Sequence, residues 1–212
     1  MRAIAVLGGT FDPVHIGHLR VAWEAAEALD ADVRLMPAQV PPHRPPPVAS
    51  AQQRVRMLQL ALADQERLTL DTRELERPGP SYTFDTLQGL RSEFGNAQSL
   101  ILLLGADAFA GLPSWHRWRE LFELAHIVVL TRPGHGAAWP AELATAVAPR
   151  CVNAVSKLHE AAAGRILELA VTALEISASQ VRALLAAGRE PRWLLPEAVL
   201  AAPEFSTAYR RR

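Results

Sequence analysis

Two histidines three residues apart, His15 and His18, are the side chains whose type and spacing first indicate chemistry. They follow Gly8-Gly9 and Asp12-Pro13, and Gly17 lies between them. If a helix begins near His15 with the proline in or near its first turn, both imidazoles share one face beside backbone N–H groups that attract anions. The pattern therefore predicts a phosphate site. An isolated pair of surface histidines is the alternative, which the combination with the glycine turn disfavours.

A second group of polar side chains lies near the C-terminus. Ser177, Ser179 and Arg182 stand at the predicted start of a helix, where two hydroxyls and a guanidinium form a cradle for an anion. The serines would serve only as helix caps in the alternative interpretation. His43 and Arg44 lie within the proline-rich stretch 37–47, which predicts either a stiff loop presenting them to an anion or a solvated linker.

Other candidate residues follow predicted strands or precede predicted helices. Gly105 ends the most apolar strand and Asp107 follows it, where α/β sheets carry ligand-binding groups, although Asp107 could also be a helix N-cap. Ser81 is predicted to cap a helix that runs to about residue 94. Trp115 and Trp118 offer a flat surface for an aromatic ring, and at least one of them is expected to be buried.

The elements that must position these groups alternate along the chain. The predicted strands span about 3–7, 32–36, 67–71, 99–104, 126–130 and 165–174, and the predicted helices about 15–29, 50–63, 81–94, 141–148, 176–188 and a short one from 195. This order predicts an α/β fold, Rossmann-like and doubly wound, with a mostly parallel sheet and helices on both faces. The loops after the strands, including Arg132, would then line one crevice.

Composition limits the classes of function. The 212 residues carry no formal net charge, half of them are hydrophobic, and there is one cysteine. We expect a single domain over residues 1–212, with no nucleic-acid partner, no membrane partner and no disulfide framework. The N-terminus has no leader-like apolar segment, so a cytoplasmic protein is predicted. The sequence is compatible with a homo-oligomer.

Several stretches, in order, resemble the bacterial nicotinate-nucleotide adenylyltransferases. They are Gly-Gly-Thr-Phe-Asp-Pro-Val-His-Ile-Gly-His-Leu, Val-Pro-Pro-His-Arg, Gly-Pro-Ser-Tyr-Thr-Phe-Asp-Thr-Leu, Leu-Gly-Ala-Asp, Trp115, Thr-Arg-Pro-Gly, Ile-Ser-Ala-Ser-Gln-Val-Arg and Leu-Leu-Pro-Glu-Ala-Val. Two of these stretches, the first one with its His-Ile-Gly-His motif and Ile-Ser-Ala-Ser-Gln-Val-Arg, mark only the wider nucleotidyltransferase superfamily. The Pro-Pro-His-Arg and Gly-Pro-Ser-Tyr-Thr stretches indicate this family within it.

The resemblance implies transfer of AMP from ATP to nicotinate mononucleotide, with Mg²⁺, by direct in-line attack. His18, His15 and Arg182 would be catalytic. Residues implied to bind the nucleotide are Gly8, Gly9, Thr10, Phe11, His15, Gly17, His18, Gly105, Asp107, Ser177, Ser179 and Arg182. Residues implied to bind the mononucleotide are His43, Arg44, Thr83, Trp115, His116 and Arg132. No metal site made of protein ligands is implied.

Alternatives from other classes remain at this point. A related adenylyltransferase could act on nicotinamide mononucleotide or phosphopantetheine, and a non-catalytic sensor could keep the nucleotide pocket. A synthetase-like ligase is disfavoured because no Lys-Met-Ser-Lys-Ser-like stretch is present. Zinc binding by His15, His18 and His43 is disfavoured because no acidic ligand is adjacent.

Overall fold

A seven-stranded parallel sheet is the frame of the molecule. The computed structural model describes residues 2–39, 45–132, 139–172 and 174–209. Its strands are β1 (Ala3–Gly9), β2 (Ala31–Pro37), β3 (Leu68–Leu70), β4 (Leu100–Gly105), β5 (His126–Thr131), β6 (Cys151–Val152) and β7 (Ile166–Ala170). They lie in the order β3-β2-β1-β4-β5-β7-β6, and each neighbouring pair is parallel. The predicted α/β sheet is confirmed.

Helices cover both faces of this sheet, as predicted. They are α1 (Ile16–Leu29), α2 (Ala51–Ala61), α3 (Arg73–Glu76), α4 (Thr83–Phe94), α5 (Ala106–Ala110), α6 (Leu121–Leu124), α7 (Ala141–Val147), α8 (Ser156–His159), α9 (Ala178–Ala186), α10 (Glu197–Leu200) and α11 (Pro203–Tyr209). Residues of α1, α2, α9, α10 and α11 belong to one buried apolar cluster, and residues of α4 to α7 belong to another. Among the described residues, no helix has the length and apolar character needed to cross a bilayer.

The alternation of side chains along the central strand explains the two clusters. In β1, Ala3 and Ala5 pack into the first cluster, whereas Ile4 and Val6 pack into the second. Successive side chains of a strand point to opposite faces, so a strand that is apolar throughout must be covered on both sides. The small alanines allow α1 to pack closely against β1.

The structure differs from the predicted elements in a few places. Strand β7 ends at Ala170 and is therefore shorter than the predicted strand 165–174. Strand β6 is not predicted, because its two residues are too few to show an alternating pattern. The four-residue helix α3 was missed for the same reason. Pro37 ends β2 instead of opening the loop, a position where its missing N–H is tolerated.

Candidate active site

The two histidines of the first motif stack at the start of α1. His15 is the N-cap residue, with extended backbone, so the helix begins one residue later than predicted. The ring centroids of His15 and His18 lie 3.6 Å apart, and the backbone N–H of His15 donates to Nδ1 of His18 at 3.3 Å. Pro13 precedes the helix and is not part of its first turn. The predicted pair of adjacent imidazoles at a helix N-terminus is therefore present.

The glycines of this motif make room for neighbouring rings and for a ligand. A Cβ on Gly17 would lie 3.1 Å from Nδ1 of His15, and one on Gly9 would lie 3.0 Å from the ring of Phe11. The Phe11 ring in turn contacts His18 edge-on, with the centroids 4.9 Å apart. No described atom lies within 4 Å of a Cβ placed on Gly8. The end of β1 thus offers bare backbone beside the histidines.

Burial controls the charge of His15. The residue is 5% exposed, and desolvation lowers its pKa to about 4. Its Nδ1 is buried without a hydrogen-bond partner among the described residues. At neutral pH the unliganded imidazole is neutral, so His15 is suited to orienting a neighbour or hydrogen bonding to a ligand. Neutralising phosphate charge falls to other groups.

We expect this buried histidine to make the fold sensitive to acid. The pKa of His15 is lower in the folded than in the unfolded chain. The free energy of unfolding should therefore be highest above about pH 6.5 and fall by up to about 3 kcal/mol as the pH is lowered towards about 4. Chemical denaturation of the wild type and of His15→Gln between pH 7 and pH 4 measures it. The variant should show the smaller loss across this window, and equal losses would contradict the assignment.

The last motif meets the first one at the start of α9. Ser177 caps α9 by accepting from the N–H of Gln180, as predicted for a capping serine. Arg182, one turn in, donates to the backbone carbonyl of Asp12 and to Oγ of Ser179, the latter at 3.2 Å. A Cβ on Gly17 would lie 3.6 Å from Cβ of Ile176. The two helix starts, Ile16 and Ala178, are 162 residues apart in the sequence and yet lie side by side.

Three supporting residues were not identified from the sequence. Arg54 is 2% exposed and donates to the carbonyls of Thr10 at 2.8 Å and Ala38 at 2.9 Å, while Tyr209 donates to Oδ1 of Asp12 at 2.6 Å. Burial lowers the pKa of Arg54, and burial together with Asp12 raises the pKa of Tyr209. From the sequence, Asp12 is simply the residue before Pro13 in the first motif. Nothing local in the sequence pairs it with a tyrosine near the C-terminus.

A second group forms around the start of α4. The rings of Tyr82 and His116 lie 4.5 Å apart, which brings the Ser81 loop to the tryptophan loop. Tyr82, not Ser81, is the N-cap of α4, so the predicted capping role of Ser81 is wrong; its Oγ accepts from the N–H of Gln39 at 3.0 Å instead. Thr83 is the first residue of the helix. Trp118 is buried and Trp115 half-buried, as expected for the pair.

The remaining candidates follow β4 and β5. Gly105 is the N-cap of α5, and Asp107 lies exposed in its first turn, so the alternative N-cap role for Asp107 is not found. Arg132 directly follows β5, is exposed, and pairs with Glu175 at 3.4 Å. His43 and Arg44 lie outside the described residues.

Sheet topology places the described candidates that follow β1, β4 and β5 at one edge of the sheet. The strand order reverses between β1 and β4, because β2 and β3 extend the sheet on one side while β5, β7 and β6 extend it on the other. In open α/β sheets such a switch point, at the carboxyl ends of the strands, is where ligands bind. The histidines follow β1 and Asp107 follows β4. This fold and site define an α/β protein of the nucleotidyltransferase type.

Comparisons with known proteins give the family. A family profile described as cytidylyltransferase-like matches residues 6–184. The chain is 52% identical over 200 residues to a probable nicotinate-nucleotide adenylyltransferase of Halorhodospira halophila, covering 94% of this chain and 91% of that protein. It is 50% identical over 199 residues to the protein of the same name from Methylococcus capsulatus, covering 93% and 94%. The chain belongs to the cytidylyltransferase-like family and, within it, to the nicotinate-nucleotide adenylyltransferases.

Solved structures share the fold. A Plasmodium falciparum nicotinic acid mononucleotide adenylyltransferase complexed with NaAD has a TM-score of 0.70 at 14% identity, covering 99% of this chain and 96% of that one. A putative nicotinate-nucleotide adenylyltransferase from Vibrio parahaemolyticus has a TM-score of 0.62 at 15% identity, covering 94% and 97%. At these identities the likeness concerns the fold.

Proposed function

We propose that this chain transfers AMP from ATP to nicotinate mononucleotide, releasing pyrophosphate and forming deamido-NAD for NAD biosynthesis. One observation supports this most strongly. The helix start carrying His15 and His18 lies beside the helix start carrying Ser177, Ser179 and Arg182, with Arg182 bonded to the turn before the histidines. A triphosphate between the two helix starts would meet donors from both. The cytoplasm is the expected location.

The reaction requires positioning and charge stabilisation from the protein. An oxygen of the acceptor phosphate forms a bond to the α-phosphorus of ATP while the bond from that phosphorus to the bridging oxygen breaks, and pyrophosphate leaves with the electron pair. We assign His18 to the α-phosphate, where charge develops, and Ser177, Ser179 and Arg182 to the leaving phosphates. His15, neutral and stacked on His18, orients that ring and hydrogen bonds to the phosphates.

The pyridine end of the acceptor is assigned to the group around α4. Backbone N–H groups of Thr83 and His116 would receive the nicotinate carboxylate, and the ring of Trp115 would lie against the pyridine. The contact between the tilted rings of Tyr82 and His116 supports this, because it brings the two backbone segments together. Arg132, His43 and Arg44 are assigned to the mononucleotide, and the end of β1 with Thr10 and Phe11 to ATP.

The described residues are compatible with a magnesium ion that is bound mainly by the phosphates of ATP. The described residues hold no group of three or more His, Cys, Asp or Glu side chains able to bind a metal, and Mg²⁺ is usually held by substrate phosphates with one or two carboxylates. Asp107, exposed in the first turn of α5, is assigned either to a ribose or to the water shell of this ion. When bound, the ion would neutralise negative charge on the phosphates.

Substrate preference tests the proposal. With ATP and Mg²⁺, we expect kcat/KM for nicotinate mononucleotide to exceed that for the nicotinamide analogue by about 10- to 100-fold, the value of one or two charge-assisted hydrogen bonds to the carboxylate. Pyrophosphate release and deamido-NAD formation are measured side by side, with an acceptor-free reaction as the control. Equal or reversed preference would overturn the substrate assignment. ATP binding without pyrophosphate release would indicate a sensor.

A further inference from the structure

Asp12 lies in the turn that precedes His15, and donors from two separate parts of the chain, residues 48–49 and Tyr209, hold its carboxylate. Its Oδ2 accepts from the N–H of Val48 at 2.8 Å, and its Oδ1 accepts from the N–H of Ala49 at 3.0 Å and from the hydroxyl of Tyr209 at 2.6 Å. The side chain is 6% exposed. A buried carboxylate with this many donors has little freedom to move, so the turn that carries it is fixed as well.

The same turn holds Arg182. Its Nη1 donates to the backbone carbonyl of Asp12 and lies 3.6 Å from Oδ2 of the carboxylate. Its Nη2 donates to Oγ of Ser179. A guanidinium carries more N–H donors than these two contacts use, so the remaining donors are available to an anion in the crevice. The long arginine side chain would otherwise sample many rotamers.

We infer that Asp12, held in place by Tyr209 of the C-terminal helix, is a positioning residue that orients Arg182 for the proposed adenylyl transfer. This inference rests on the proposed function. Both carboxylate oxygens are occupied by protein donors, so Asp12 acts through the arginine and not on the substrate. Helix α11 thereby belongs to the architecture of the phosphate site, although none of its residues is assigned to a substrate.

A double-mutant cycle between Asp12 and Arg182 tests this. Asp12→Asn removes the charge and replaces one acceptor oxygen with a donor that faces backbone N–H groups. We expect Asp12→Asn to lower kcat/KM for ATP by about 10²-fold when Arg182 is present. In the Arg182→Ala background the same substitution should lower it by less than about 3-fold. Tyr209→Phe removes a single O–H donor and keeps the ring, so a loss of about 3- to 10-fold is expected, again only when Arg182 is present.

Asp71→Asn is the matched control. Asp71 is equally buried, with its side chain 7% exposed, and it pairs with Arg34 and Arg73 away from Arg182. We expect it to lower Tm while changing kcat/KM for ATP by the same small factor in both backgrounds. The inference is overturned if Asp12→Asn and Tyr209→Phe change kcat/KM for ATP by the same factor with and without Arg182, or if they have no effect.

The failure of this inference is distinguishable from failure of the proposed function. A wild type that makes no deamido-NAD refutes the proposed function, whereas an active wild type with additive variants refutes only the role of Asp12. The Kd of ATP is measured for the same set of variants. Because this measurement needs no turnover, it tests the coupling between Asp12 and Arg182 whether or not the wild type makes deamido-NAD. If Asp12→Asn does not fold, Tyr209→Phe carries the test.

Discussion

Replacing His18 with alanine is expected to lower kcat by about 10²- to 10³-fold, the usual cost of losing a donor aimed at charge that develops in a transition state. The structure supports this role because His18 stands at the N-terminus of α1, stacked on His15 and packed against Phe11. The KM for ATP should change much less than kcat. Steady-state rates of pyrophosphate release, measured at saturating substrates, give both values.

His159→Ala is the matched control for this experiment. His159 is an exposed histidine at the end of α8, outside the crevice, so its loss should leave kcat unchanged. Thermal melting of both variants separates a catalytic effect from loss of folded protein. A His18→Ala enzyme that keeps a near-normal kcat would remove His18 from the reaction.

Replacing Arg182 with alanine should have an effect of similar size but a different kinetic signature. The guanidinium is assigned to the departing β- and γ-phosphates, which are present in the ground state and gain charge as the bond breaks. We therefore expect a higher KM for ATP together with a lower kcat, and a loss of about 10²- to 10³-fold in kcat/KM. Arg182→Lys should recover only part of this, because an ammonium cannot form the bidentate contact.

Arg189→Ala controls for the removal of one positive charge near the same helix. Arg189 is exposed and follows the far end of α9, beyond the glycine that ends the helical segment. Its loss should change kcat/KM by no more than about 2-fold, since exposed charges at this distance are screened. Equal losses from Arg189→Ala and Arg182→Ala would mean that net charge, not the position of Arg182, explains the effect.

Local patterns were sufficient to predict most of the sheet and the adjacent histidines at the start of α1. Long apolar runs such as 100–104 identify buried strands, and the glycines beside His15 and His18 indicate a turn suited to binding an anion. The capping role that the sequence offered as the alternative for Ser177 is found in the structure, because capping depends on the next few residues. Ser81 was assigned wrongly, because its hydroxyl bonds to Gln39, which the sequence places 42 positions away.

Tertiary contacts account for what the sequence did not reveal. Arg54 looks like an exposed position of an amphipathic helix, yet the turn at Thr10 covers it and uses its guanidinium. Asp12 and Tyr209 are each ordinary residues in their local context, and only the fold brings them together. The low pKa of His15 also depends on tertiary structure, because it results from burial that the local sequence does not reveal.

The hydrogen bond between Asp12 and Tyr209 joins residues separated by 197 positions. During translation, Asp12 leaves the ribosome long before Tyr209 does. The turn that carries Asp12 can therefore form early, but the hydrogen bond that Tyr209 donates to its carboxylate forms only after a further 197 residues have been synthesised.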